Sequence, residues 1–166
     1  MQSGDFSYEQ IIDYAINIEQ RGANLYTSAA SKLKNEPARN ILLHLAQQER
    51  EHEAYFRGLK KDILISNYRI GKLDDEAVGY LSVLVDNDIF PSNDKEFIEQ
   101  FKTLKDVINS SKQAEKDSIL FYMELARFAW DENAVNVLNS IAGEEKKHLV
   151  QLQELDVLIE ERDIYY

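Results

Sequence analysis

The chain has 166 residues, a formal net charge of −11, 30% charged residues, six glycines, two prolines and no cysteine. That length supports one domain with a sizeable core, and the composition favours an all-helical protein. Disulfides, iron–sulfur clusters and thiolate zinc sites are excluded, nucleic-acid binding is disfavoured by the acidic balance, and no apolar run approaches the roughly 20 residues of a membrane span.

Met1 to Phe6 is polar and short, unlike a secretory leader, so a soluble cytoplasmic protein is expected. The first helix is predicted to open at Ser7, with Gln10 completing a capping box and Phe6 packing on Ile11, and to end near Lys34–Asn35. Its inner stripe reads Ile12, Ala15, Glu19, Gly22, Tyr26, Ala29, Leu33, which places a carboxylate inside an apolar seam. Gly22 costs about 1 kcal/mol of helix propensity relative to Ala. Room beside a carboxylate would explain it, and so would close helix packing.

Pro37 suits the first turn of a second helix. The seam there runs Leu42, Leu45, Glu49, His52, Phe56, Leu59, in alternating steps of three and four, the period of a helix packed inside a bundle. Glu49 and His52 share one face and point the same way. An unpaired buried carboxylate is costly, so it should be protonated, paired or bound to a metal. The helix is expected to fade near Asp62. Glu19 and Glu49 stand at similar distances from the intervening turn, so an antiparallel hairpin sets them opposite each other.

Residues 63–102 form a connector too long and too apolar for a bare loop. Asp74 to Val85 reads as a short helix, Pro91 breaks it, and Asp94 to Phe101 reads as another. Such a connector suits a crossover running the length of a bundle. The third long helix is predicted to start at Thr103 with Asp106 as its capping partner, along a seam of Leu104, Ile108, Ser111, Glu115, Ser118, Tyr122, Leu125 and Ala129. After a turn near Asp131–Asn133, a fourth runs from Glu132 to Arg162 on Leu138, Ile141, Glu145, His148, Leu152, Leu155 and Ile159. The tail from Asp163 has no assigned role.

An offset of 96 residues superposes the two halves without a gap: Glu19 on Glu115, Tyr26 on Tyr122, Leu42 on Leu138, Glu49 on Glu145 and His52 on His148. The chain is therefore read as a single domain, 1–166, with an internal repeat of helical hairpins at 7–62 and 103–162. Collected, the inward polar set is Glu19, Glu49, His52, Glu115, Glu145 and His148. Four carboxylates this close cannot all stay ionised without cations. One Glu from each of two helices plus Glu-x-x-His from each of the other two is the ligand pattern of di-metal carboxylate bundles.

The other polar residues receive structural readings. His44 lies off the seam and is assigned to the surface. Tyr26 and Tyr122 are read as packing residues with a hydrogen-bonded hydroxyl rather than redox-active tyrosines. Trp130 is read as a packing anchor. Glu51, Glu53 and Glu144 adjoin the ligand positions but are expected to point elsewhere.

On these residues the sequence resembles the rubrerythrins of the ferritin-like superfamily. The resemblance rests on Ala15-Ile-Asn-Ile-Glu19 with Gly22 and Tyr26, on Glu49-Arg-Glu-His52, on Glu115 through Tyr122, and on Glu145-Lys-Lys-His148. It implies a ferritin-like four-helix bundle holding two iron ions, with manganese or zinc as alternatives. Glu19 and Glu115 would be terminal ligands, Glu49 and Glu145 would bridge, and each histidine would bind one metal. Gly22, Tyr26, Ser118 and Tyr122 would lie near the site. Rubrerythrins typically carry a further glutamate where this chain has Ser118, which puts peroxide-dependent ligand exchange in doubt. They also commonly append a cysteine-bound rubredoxin domain, so electrons here would come from a separate, rubredoxin-like donor. The implied function is a di-iron oxidoreductase acting on peroxide or O₂, as a homodimer. Ferritin-type iron oxidation and storage, and a metal-binding bundle without turnover, are the alternatives.

Overall fold

The computed structural model describes residues 8–66, 75–86, 88–100, 103–129 and 131–159. Their helices, in chain order, are α1 (Tyr8–Ser31), α2 (Glu36–Ser66), α3 (Asp75–Asp86), α4 (Asp94–Gln100), α5 (Leu104–Arg127) and α6 (Glu132–Leu158). The expected all-helical bundle is met. α1 packs along α2 and α5 along α6, with α3 lying on α5 and α4 on α1, so the crossover touches both hairpins.

The predicted seams are buried along most of their length, with Leu33, Leu59 and Ala129 only partly covered and Phe121 added to the core from outside them. Ile12, Leu42, Leu45, Phe56, Leu104, Phe121, Leu125, Leu138, Leu152 and Leu155 are each 2% exposed or less. Each such side chain contributes about 1.5–3 kcal/mol by leaving water. Within this apolar lining, Phe56 stacks on Tyr122 at 5.3 Å between ring centres and Phe121 meets Tyr122 edge-on at 5.5 Å. These rings form one wall beside the polar cluster.

Short polar caps fix where the helices begin. Asn35 Oδ1 accepts from the Ala38 amide at 3.1 Å, and Asp131 Oδ1 accepts from the Ala134 amide at 2.7 Å. Thr103 and Asp106 make the predicted reciprocal capping box, with the Asp106 amide 3.2 Å from Thr103 Oγ1 and the Thr103 amide 3.3 Å from Asp106 Oδ2. Three predicted ends are corrected. α1 stops at Ser31, short of Lys34, because the Lys32 and Leu33 amides fold back on the Ala29 and Ala30 carbonyls and the chain then turns into the Asn35 cap. α2 continues past Asp62 to Ser66. α6 stops at Leu158, where Ile159 is extended (φ −84°, ψ 128°). The expected cap at Ser7, the Phe6 contact, the Trp130 anchor and the tail from residue 160 lie outside the described residues.

These ends set the register of the polar residues. Glu19 lies twelve residues before the end of α1 and Glu49 thirteen after the start of α2, and Glu115 and Glu145 repeat those intervals in α5 and α6. At 1.5 Å per residue all four stand about 18–20 Å from their turns. At the other end of each hairpin an ion pair closes the helices: Lys60 with Asp13 and Lys112 with Asp156, both at 2.7 Å. The repeat inverts this pair, since Lys60 aligns with Asp156.

Candidate metal centre

Glu19, Glu49, His52, Glu115, Glu145 and His148 are all buried, none more than 5% exposed, and they converge on one place in the core. His52 Nδ1 lies 2.9 Å from Glu145 Oε1, 3.4 Å from Glu19 Oε2 and 3.8 Å from Glu49 Oε2. His148 Nδ1 lies 2.7 Å from Glu145 Oε2, 3.2 Å from Glu49 Oε1 and 3.5 Å from Glu115 Oε1. Glu49 and Glu145 thus turn one oxygen to each histidine, while Glu19 faces only His52 and Glu115 only His148. The two imidazoles lie nearly parallel, 5.9 Å apart.

Close approach does not satisfy these atoms. Glu19 Oε2, Glu49 Oε1, Glu115 Oε2, both oxygens of Glu145 and both Nδ1 atoms are buried without a well-directed hydrogen bond. Orphaned buried polar groups cost free energy unless something else binds them. Two overlapping sets have donor atoms all within 4.8 Å of one another: Glu19, Glu49, His52, Glu145, and Glu49, Glu115, Glu145, His148. Carboxylate and imidazole donors suit iron or manganese, and zinc can share such a site. The donors present therefore fit a pair of metal ions.

Electrostatics point the same way. Among the described residues, no Lys or Arg is ion-paired with any of the six. Burial, then the charges of Glu49 and Glu145, push the carboxyls of Glu19 and Glu115 well above the usual carboxylate range. Burial also pulls on Glu49, but the two histidines outweigh it and hold that carboxyl low. For His52 burial opposes the charged form, and the carboxylates of Glu145, Glu19 and Glu49 overcome it, so the imidazole is held protonated far above its ordinary value. His148 is raised in the same way, by Glu115, Glu145 and Glu49. All four shifts at Glu19, Glu115, His52 and His148 favour the protonated form, the direction expected where cations are missing.

Two tyrosines complete the inner surface. The Tyr26 hydroxyl donates to Glu115 Oε1 and the Tyr122 hydroxyl donates to Glu19 Oε1, each from one hairpin to the other. Their burial, beside Glu115 and Glu19 respectively, pushes both phenols well up, so both remain donors. Both hydroxyls are bonded as expected, and the bond is to the carboxylate itself.

Position 22 is explained by a residue the sequence did not single out. A Cβ on Gly22 would lie 3.2 Å from Phe90 Cε2, 3.3 Å from Phe90 Cζ and 3.4 Å from Glu49 Cδ. The ring belongs to the connector, which Arg21 holds against α1 through Asp88 Oδ1 at 2.7 Å and the Phe90 carbonyl at 3.3 Å. Phe90 also meets Tyr26 edge-on at 6.0 Å. Ser118, the repeat counterpart of Gly22, is buried with a hydroxyl that has no hydrogen-bond partner. His44 is exposed as expected, Glu51 accepts from Gln47, and Glu53 pairs with Arg57. Glu144 departs from expectation: its Oε2 reaches from α6 to His52 Nε2 at 2.9 Å. Nothing in the seam spacing signals this contact, which exists only once the hairpins are packed.

Known proteins resemble the chain over most of its length. The family model for rubrerythrin matches residues 10–156. A solved structure from Thermotoga maritima, assigned as a ferritin-like diiron-carboxylate protein, superposes with a TM-score of 0.67 at 24% identity, covering 92% of this chain and 95% of that one. A hypothetical protein from Pyrococcus furiosus superposes equally, at 0.67 and 22% identity, covering 95% of this chain and 92% of that one. These likenesses establish the fold. No protein with a curated description matches the sequence.

Proposed function

The chain belongs to the rubrerythrin family, and from that premise we propose that it is a di-iron oxidoreductase, reducing peroxide or O₂ as Fe(II) is oxidised and recharged by a separate electron-transfer protein. The observation that carries the reading is the sharing of Glu49 and Glu145 between two otherwise separate sets, Glu19 with His52 and Glu115 with His148. Glu19 and Glu115 would be terminal ligands, and Glu49 and Glu145 would serve both ions. When bound, two Fe(II) ions supply the two electrons that reduction of one H₂O₂ to two waters consumes, along with two protons.

The protein's own part is to hold and enclose. The Tyr122 and Tyr26 hydroxyls fix the outer carboxylates of Glu19 and Glu115 while leaving an oxygen of each free for a metal. Phe56 and Phe90, each 2% exposed or less, help keep bulk water from the centre, which strengthens every charge interaction there. These 166 residues contain no cysteine for a thiolate iron centre, so electrons would reach the cluster from outside this helical domain.

The test is stopped-flow absorbance of anaerobically Fe(II)-loaded protein mixed separately with H₂O₂ and with O₂. Oxidation much faster with peroxide supports a peroxidase despite Ser118. Faster oxidation with O₂ moves the assignment to a ferroxidase or oxygen scavenger. Reaction with neither overturns the reading.

A further inference from the structure

We propose that Glu144 is a positioning residue that makes the two metal positions unequal, so that the ion on the Glu19–His52 side binds first and more tightly. The inference rests on the reading that the cluster holds two ions, and adds to it an asymmetry that the six donors do not contain.

Both histidines present Nδ1 to the carboxylates, so Nδ1 is the metal-facing nitrogen on each side. Their other nitrogens differ. His52 Nε2 lies 2.9 Å from Glu144 Oε2, a carboxylate arriving from the opposite hairpin. His148 Nε2 is buried with no hydrogen-bond partner. The repeat counterpart of Glu144 is Gln48, and its Oε1 is likewise buried without a partner. The internal symmetry is kept at the donors and at both tyrosine bonds, and it breaks behind the histidines.

The chemical consequence follows from what a histidine ligand needs. Nδ1 must offer a lone pair, which puts the ring proton on Nε2. A carboxylate accepting that proton fixes the tautomer, locks the ring plane and makes Nδ1 a better donor. His52 has such a partner. His148 has no such partner behind its ring. Loss of an outer partner of this kind typically costs about 10–100-fold in metal affinity. The side chain of Glu144 is 37% exposed, so its replacement leaves the core intact.

The experiment is a titration of the metal-free full chain with Co(II), followed by absorbance and calorimetry, with anomalous diffraction from crystals given less than one equivalent. In the wild type, two steps are expected, the first equivalent collecting on the Glu19–His52 side. Glu144→Ala should weaken that step by about 10–100-fold and leave the other unchanged, which also certifies the fold. Glu144→Gln keeps an acceptor oxygen without the charge and should recover part of the loss. Even division of the first equivalent in the wild type, or unchanged affinities in Glu144→Ala, would overturn the inference while leaving the two-ion reading intact. Uptake of fewer than two Co(II) by the wild type would overturn that reading, and this inference with it.

Discussion

Glu49 and Glu145 each serve two histidines with two oxygens, so the loss of either should be felt at both positions. Glu145→Ala is expected to reduce bound metal from two ions per chain to at most one, measured by elemental analysis after loading and desalting. Retention of two would mean that the shared role is misassigned. The convergence of the six buried side chains was legible because they break a rule visible in one dimension: charged side chains on the buried step of a three–four seam, repeated at a fixed offset. Glu144 was not, because it sits one residue, or 100° of helix, away from Glu145, and its partner lies 92 positions distant. The tyrosine hydroxyls fall between these cases. Their need for a partner followed from burial, but the identity of the partner depended on how the hairpins cross.

The helices bring these residues level through their caps and through a connector that does more than connect. Asn35→Ala and Asp131→Ala should each cost about 1 kcal/mol, read from the midpoint of chemical denaturation, since each removes the acceptor for an amide in the first turn. Gly22→Ala sets two effects against each other. The helix gains about 1 kcal/mol, while overpacking against a buried ring costs about 1–3 kcal/mol, so a net loss near 1 kcal/mol is expected. In a Phe90→Ala background the same change should become stabilising, and a double-mutant cycle measures the coupling. The sequence placed the short connector helices to within a residue or so but not the Phe90 contact. A lone aromatic before Pro91 has no period to betray its direction. The end of α1 was misplaced because local turn bonding at Lys32 and Leu33 decides it, rather than a capping motif such as Thr103–Asp106.

For the molecule as a whole, the buried charges tie stability to pH with a definite sign. Without metal, His52 and His148 keep protons that the unfolded chain releases above the ordinary value of 6.5. Their contribution is full below that pH and is lost as pH rises, because the native state then binds more protons than the unfolded one. Glu19 and Glu115, also raised, act in the same direction from 4.5 upward. Glu49, held low, acts oppositely, and its contribution is lost only as pH falls below 4.5. The melting temperature of chelator-treated protein should therefore fall between pH 6.5 and 8.5. Loaded protein should show no such fall, since ions displace those protons and bind better as pH rises. Parallel slopes in calorimetry would contradict the assignment. The equal division of donors between hairpins that pack most closely within themselves has a kinetic consequence. Each half supplies one outer glutamate, one shared glutamate and one histidine, so neither half retains an ion pair by itself. If two ions bind as proposed, the hairpins would part only as fast as metal departs, and the lifetime of the fold would become the residence time of the bound ions.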